Sequence, residues 1–325
     1  MSAGMMEKAA LDAGRPQRHP VVVAVVAAAG SLLLVAGVLV HFWAVPKLAA
    51  APVGVDTITR LTATGATVFD IKTLKPITTD LAVENRTVGN PQASANAPAN
   101  TVVWTSMTTI RSMPDNVIRS QTSASNALNN KTAQAADCCG NFYEATKGVR
   151  TPTTPTGQVY KFPFFTEKKS YQVWDGTLNG AVTATYTGTS SIQGMRVYRF
   201  VSNVPASVVG HQSLPASIFG LPGNGNVAAT SYYQNSTTNY IEPTTGAIID
   251  SVQDVKQWFA AQGKTVTTIA AHLTYTPDTV SKFVNDLQGN ATELTIAAGP
   301  VPWFAMALGL VLIVGSAISG RRRHT

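Results

Sequence analysis

The chain has 325 residues, 45% of them hydrophobic and only 13% charged, and its net charge of +7 falls mostly on its ends. The two tails hold six Lys/Arg against two acids, whereas residues 46–300 hold 18 against 15. With no basic run interleaved by aromatics, this excludes a nucleic-acid surface.

Residues 1–20 read as a cytoplasmic tail carrying Lys8, Arg15 and Arg18. Residues 21–45 contain no acid, Lys or Arg. As a helix they exceed the roughly 30 Å of a hydrocarbon core. They also exceed the apolar core of about 7–15 residues usual in a cleaved signal peptide, so they read as an uncleaved anchor ended by Pro46 and Lys47. Residues 46–295 follow as an extracytoplasmic β-rich domain.

Within that domain, alternation of β-branched and polar residues predicts strands at 55–63, 67–71, 102–112 and 117–123. Residues 89–100 read as a polar loop, and 124–157 include a long surface loop. Aromatic-rich strands are predicted at 159–165, 170–174, 181–187 and 195–203. Residues 204–225 read as Pro/Gly-rich and irregular. Further strands are expected at 227–234, 238–241 and 247–252, with a turn at 243–246. Residues 254–262 and 265–273 read as short helices, and 277–288 as an amphipathic helix with Pro277 near its first turn.

Residues 296–319 form a second uncharged block, with Pro300 and Pro302 suited to a first helical turn. The basic tail 320–325 ends it with Arg321, Arg322 and Arg323, as a stop-transfer anchor does. Basic flanks on both helices place both termini in the cytoplasm and the middle outside, at the plasma membrane. Trp43 and Trp303 fall at the outer ends of the two spans, where amphipathic rings favour the interface. The predicted fold class is therefore a β-rich α+β extracytoplasmic domain, with an antiparallel, mostly curved sheet and a few short helices, between N- and C-terminal transmembrane helices.

No catalytic constellation stands out. His211 and His272 are isolated, and no paired-His, CxxC, G-x-S-x-G or S-x-x-K pattern occurs, so no metal, cofactor or catalytic residue is assigned. Glu167 and Asp175 read as solvated strand ends. Cys138 and Cys139 are adjacent, giving either a strained ring between neighbours or an intermolecular bridge. Asn85, Asn130, Asn235 and Asn290 lie in N-x-Ser/Thr triplets. Small residues at Ala27 and Ser31, and at Ala305 and Gly309, would let helices approach, within the chain or in a homo-oligomer through the second span. The aromatics Tyr160, Phe162, Phe164, Tyr171 and Trp174 are either core or ligand contacts.

Three segments together carry a family pattern: GQVYKFPFFTEKKSYQVWD at 157–175, GMRVYRF at 194–200 and YIEPTTGAIID at 240–250. On these the chain resembles the actinobacterial PorA-type porin family, also filed as a domain of unknown function. Thr244 stands where the family pattern carries an Arg. The resemblance implies channel formation and brings no catalytic residues. Strands rich in Thr and Ser on both parities fit a water-exposed sheet better than a lipid-facing barrel. The residues point first to a non-enzymatic, membrane-anchored envelope protein that binds a lipid, wall component or protein partner. A channel-forming porin-like protein is the alternative, and an extracytoplasmic enzyme of unrecognised type the second alternative.

Overall fold

A computed structural model describes residues 20–321, which fall into two compact units. One is helical and comprises the described residues up to Leu48 and from Glu293 onward; the other is Ala49–Thr292.

In the helical unit, α1 (Pro20–Leu39) passes through one π-helical turn (Val40–Ala44) into the short α2 (Val45–Leu48). Pro46 does not end the helix as expected. The wider π turn before it absorbs the backbone bond that Pro46 cannot donate. The C-terminal α5 (Pro300–Arg321) begins at Pro300, where the missing N–H has no intrahelical role. Val21–Leu48 and the apolar part of Pro277–Ser319 are long and apolar enough to cross a membrane. Their outward side chains suit lipid, with Leu32 71% and Phe304 72% exposed.

These two helices pack antiparallel through glycines. A Cβ on Gly309 would lie 2.5 Å from the Gly30 carbonyl oxygen and 2.8 Å from the Leu34 nitrogen, and one on Gly37 would lie 2.8 Å from the Pro302 carbonyl oxygen. Close backbone approach is what small residues provide when both surroundings are apolar. The hydroxyls of Ser31 and Ser316 are satisfied inside their own helices by the carbonyls of Ala27 and Leu312. Gly309→Leu should therefore overpack the pair and lower the unfolding midpoint in detergent, at a cost of about 1–3 kcal/mol. Gly315→Leu, whose site opens on free space, should leave the midpoint unchanged.

The other unit is a curved antiparallel sheet of thirteen strands. They are β1 (Asp56–Asp70), β2 (Lys75–Gly89), β3 (Thr101–Met113), β4 (Ile118–Asn129), β5 (Ala135–Ala136), β6 (Phe142–Thr146) and β7 (Val149–Pro152), then β8 (Tyr171–Asp175), β9 (Gly180–Ile192), β10 (Met195–Pro215), β11 (Asn226–Glu242), β12 (Ala247–Ala261) and β13 (Lys264–Tyr275). A short helix, α3 (Pro91–Ala95), sits in the β2–β3 connection, capped by the Asn90 side chain on the Ala93 N–H. Sheet order runs β7-β6-β4-β3-β2-β1-β13-β12-β11-β10-β9-β8, so the first long strand pairs with the last.

Gln158 joins the two sides of the sheet, bridging Gln134 next to β5 and Val173 in β8. Its neighbours complete the stitch: Ala135 N–H to Gly157 O at 2.7 Å, Val159 N–H to Ala133 O at 3.0 Å, and Gln158 N–H to Gln172 O at 2.7 Å. At this level the hydrogen-bonded wall runs full circle, and the curved sheet becomes a barrel.

The structure corrects several expectations. Residues 254–262 and 265–273 are strands β12 and β13, because pairing with β11 and β1 outweighs the helical propensity of their Ala-containing runs. The region 204–225 is not irregular throughout, since β10 continues to Pro215 and accommodates Pro205 at the register shift between Val204 and Ser207. The aromatic segment 159–165 is not a strand. Tyr160 and Phe165 take φ of 64° and 55°, and Pro163 has no N–H to donate. Helix α4 (Pro277–Ala298) is longer than expected, and its first turns set Val280 and Val284 against Val197 and Ile249 of the sheet.

Candidate functional site: a polar lumen

Side-chain parity builds the site. Along β2, Leu81 and Val83 are buried while Glu84 and Arg86 are exposed; along β12, Asp254 and Lys256 are exposed while Val255 and Gln257 turn inward. The outer wall is water-like, with ion pairs Arg60–Glu84 at 3.0 Å and Arg86–Asp56 at 2.7 Å and a His272–Asp254 hydrogen bond at 2.6 Å. A Lys or Arg on a lipid-facing barrel wall costs about 2–4 kcal/mol at mid-bilayer, so this wall is built for water.

Inside lie two cavities, of about 820 Å³ and 450 Å³. The larger has a mixed lining, with Ser106, Thr108, Thr122 and Asn126 beside Leu61, Val83, Ile269 and Leu273, while Ser202, Thr237 and Asn239 make the smaller more polar. Six side chains line both cavities and form a waist between them: Asn85, Tyr160, Trp174, Tyr233, Asn235 and Gln253.

The waist is held by specific bonds. The Tyr160 hydroxyl donates to the Trp104 carbonyl at 2.8 Å and accepts from the Asn126 amide at 3.1 Å, and burial pushes its pKa up to about 12. The Tyr233 hydroxyl donates to Asp175 at 2.8 Å, and burial, then the Asp175 charge, pushes its pKa up. Asp175 also accepts the backbone N–H groups of Thr177 and Leu178, each at 2.9 Å, closing the β8–β9 turn. Asn85 donates to Thr108 at 2.7 Å. Asn235 donates to Thr237 at 3.1 Å, but its buried side-chain oxygen has no partner, and neither has the Thr153 hydroxyl in the larger cavity.

Charges occupy other parts of the lumen. Arg119 lines the larger cavity and is held by Asp70 at 3.3 Å and Asp115 at 3.0 Å. The Lys72 backbone N–H, with Arg119 adding to it, keeps the Asp70 carboxyl below its ordinary pKa. Lys161 lines the smaller cavity with its ammonium 3.4 Å from the Phe164 ring centre.

The aromatics singled out in the sequence divide. Phe162 and Tyr171 are core, 2% and 8% exposed, and pack on Phe200 with centroids 4.7 and 5.8 Å away. Tyr160 and Trp174 face the lumen, and Phe164 supports Lys161. Asn85 and Asn235, noted only as glycosylation triplets, point into the lumen instead.

Cys138 and Cys139 form a vicinal disulfide between β5 and β6. Next to it, the Asn141 side chain accepts the Ala127 N–H at 2.7 Å and donates to the Ala136 carbonyl at 2.8 Å. In the helical unit, Trp43 and Trp303 are 59% and 54% exposed, and Lys47 lies 4.1 Å over the Trp43 ring. Arg321 closes α5, while Arg322 and Arg323 lie outside the described residues. Among the described residues no group of three or more His, Cys, Asp or Glu is placed to hold a metal ion.

Comparison with known proteins agrees with the pattern at 157–250. The family model described as porin PorA matches residues 22–318. A porin PorA from Corynebacterium amycolatum is 26% identical over 210 residues, covering 51% of this chain and 54% of that one. The chain thus spans about half the length of that curated relative. With the family model matching nearly its whole length, the chain belongs to the porin PorA family.

Proposed function

We propose that this protein is a channel-forming, porin-like protein of the cell envelope, with the barrel lumen as the path for small hydrophilic solutes. The observation that carries this is the two-cavity lumen whose waist is lined by uncharged side chains, in a member of the porin PorA family. The two apolar helices hold the chain in the plasma membrane, with both termini cytoplasmic and the barrel outside. The described residues of each chain bring two such helices, so a crossing needs several copies, associated through the outer face of α5. No catalytic role is assigned.

The full chain, purified in detergent and added to planar bilayers, should give discrete conductance steps. Asn85→Trp, which narrows the waist, should reduce each step by at least half. Silence from folded protein in repeated preparations overturns the reading.

A second reading is favoured by the charged outer wall: a membrane-anchored, non-catalytic protein whose lumen binds an envelope component. The larger cavity carries an apolar wall of Leu61, Val68, Val83, Ile110, Ile269 and Leu273 beside polar side chains such as Ser106 and Thr108, so a guest with an apolar face fits this reading. Solute binding without conductance would select this reading.

A further inference from the structure

The larger cavity is banded. Strand register sets Leu61, Val83 and Ile110 side by side across β1, β2 and β3, and all three line the cavity. Towards the β1–β2 turn the apolar band continues with Val68 and Ile269, paired directly across β1 and β13, and with Phe69 and Phe259. Two residues the other way along the strands, the aligned row is Thr59, Asn85, Thr108 and Thr122, and Asn85 belongs to the waist. The lining thus changes from aliphatic to hydrogen-bonding between neighbouring rows.

Leu61, Val68 and Val83 are buried side chains, yet they border a space of about 820 Å³. Protein interiors are otherwise close-packed, and a void of this size left empty would be costly. Water can fill the space beside the polar row, but it gains no hydrogen bond from the aliphatic band. The volume falls within the roughly 300–1,000 Å³ of small-molecule sites, and a closed barrel can hold one such guest.

We propose that the larger cavity is a binding site for a single-chain amphiphile with an uncharged, hydrogen-bonding head, of the monoacylglycerol class. Its chain lies along the band from Leu61 to Val68 and Ile269, and its head reaches the row of Asn85, Thr108 and Thr122. Arg119 lines the same cavity but is held by Asp70 and Asp115, so it does not call for an anionic head. A wholly hydrophilic guest would leave the aliphatic band against polar groups. A plain hydrocarbon would displace water from the hydroxyl row without replacing its hydrogen bonds. The proposal rests on the second reading above, a lumen that holds an envelope component, and names the class of that component.

The test is photo-crosslinking of the full-length protein in lipid nanodiscs with monolaurin carrying a diazirine at the end of its tail, mapped by peptide mass spectrometry. Cross-links are expected on β1 and β13 around Val68 and Ile269. Excess plain monolaurin should reduce them at least tenfold, and methyl laurate, which lacks the hydroxyl head, should compete at least tenfold less well. Ser120→Trp, which fills the cavity beside Ile110, should lose these cross-links at least tenfold with its thermal midpoint retained. Gln121→Trp, on the exposed side of the same strand, should label as the parent does. Should Ser120→Trp fail to fold, the map and the two competitors decide on the parent alone.

Cross-links confined to the two apolar helices would overturn the site, and so would methyl laurate competing as well as monolaurin. If the sheet is unlabelled while a water-soluble solute binds without conductance, the amphiphile falls and the second reading stands. Cross-links at Val68 and Ile269 together with conductance steps would overturn the second reading and leave the amphiphile site standing.

Discussion

Gly246→Val is expected to cost the barrel about 2–5 kcal/mol, from left-handed backbone strain and overpacking together. For a unit of this size that is roughly 5–20 °C in the unfolding midpoint. Gly246 lies in the turn between β11 and β12 with φ of 72°, and a Cβ there would run into the carbonyl oxygens of Phe162 and Pro163. This turn is the dock for the aromatic segment. Phe162 N–H donates to Gly246 O at 2.8 Å, Phe165 N–H to Thr244 O at 3.0 Å, and Thr166 N–H to Pro243 O at 2.7 Å. Glu242, 4% exposed, shapes the turn by accepting the N–H groups of Thr244 at 2.9 Å and Thr245 at 2.7 Å. Displacing the segment would withdraw Phe162 from Phe200 and Tyr171, and unsettle Gln158, which joins the two sides of the sheet. Gly263→Val isolates the effect: its φ of 73° imposes the same strain, but its site opens on free space. If the two variants lose the same stability, the close approach at Gly246 counts for nothing.

What the sequence disclosed follows from how local each signal is. The two apolar blocks were legible because a helix satisfies its own backbone, so length and composition suffice. Strands β3, β8 and β9 were legible from alternation. Strands β12 and β13 were not, because only their pairing with β11 and β1 decides between strand and helix for runs such as Trp258–Ala261 and Ile269–Ala271. The segment 159–165 failed in the other direction. Its aromatic density imitates a strand, yet Phe162 leaves the sheet to fill the core and Tyr160 turns into the lumen.

The waist was beyond sequence reasoning for a further reason. Asn85, Asn235 and Gln253 come from strands far apart in the chain, and each alone is an ordinary polar strand residue. Closure through Gln158 places them around one space. The same closure separates a charged outer wall from a lumen of mixed lining, while the helices are long and apolar enough to cross a membrane.

Lys161→Met is expected to raise stability, and to do so in a pH-dependent way. Lys161 is drawn from its ordinary 10.5 to about 7 by burial, with the charge of Glu242 offsetting part of that pull. Its ammonium rests on the Phe164 ring, and among the described residues no carboxylate stands within ion-pair distance. Below pH 7 folded and unfolded chains both carry the proton, and the folded state bears the whole penalty of a desolvated charge. Between pH 7 and 10.5 the unfolded chain keeps a proton that the folded chain has released, so this group's contribution to stability rises with pH. Above 10.5 the penalty is gone. Methionine keeps the length of the stem and removes the charge. The midpoint difference between variant and parent should therefore be largest near pH 6, shrink through pH 8 and 9, and vanish above 10.5. A difference that stays level with pH would mean that Lys161 is an ordinary solvated ammonium. In bilayers the same titration should be visible as a lumen charge: below pH 7 the parent should disfavour cations more than Lys161→Met does, and above pH 9 the two should be alike.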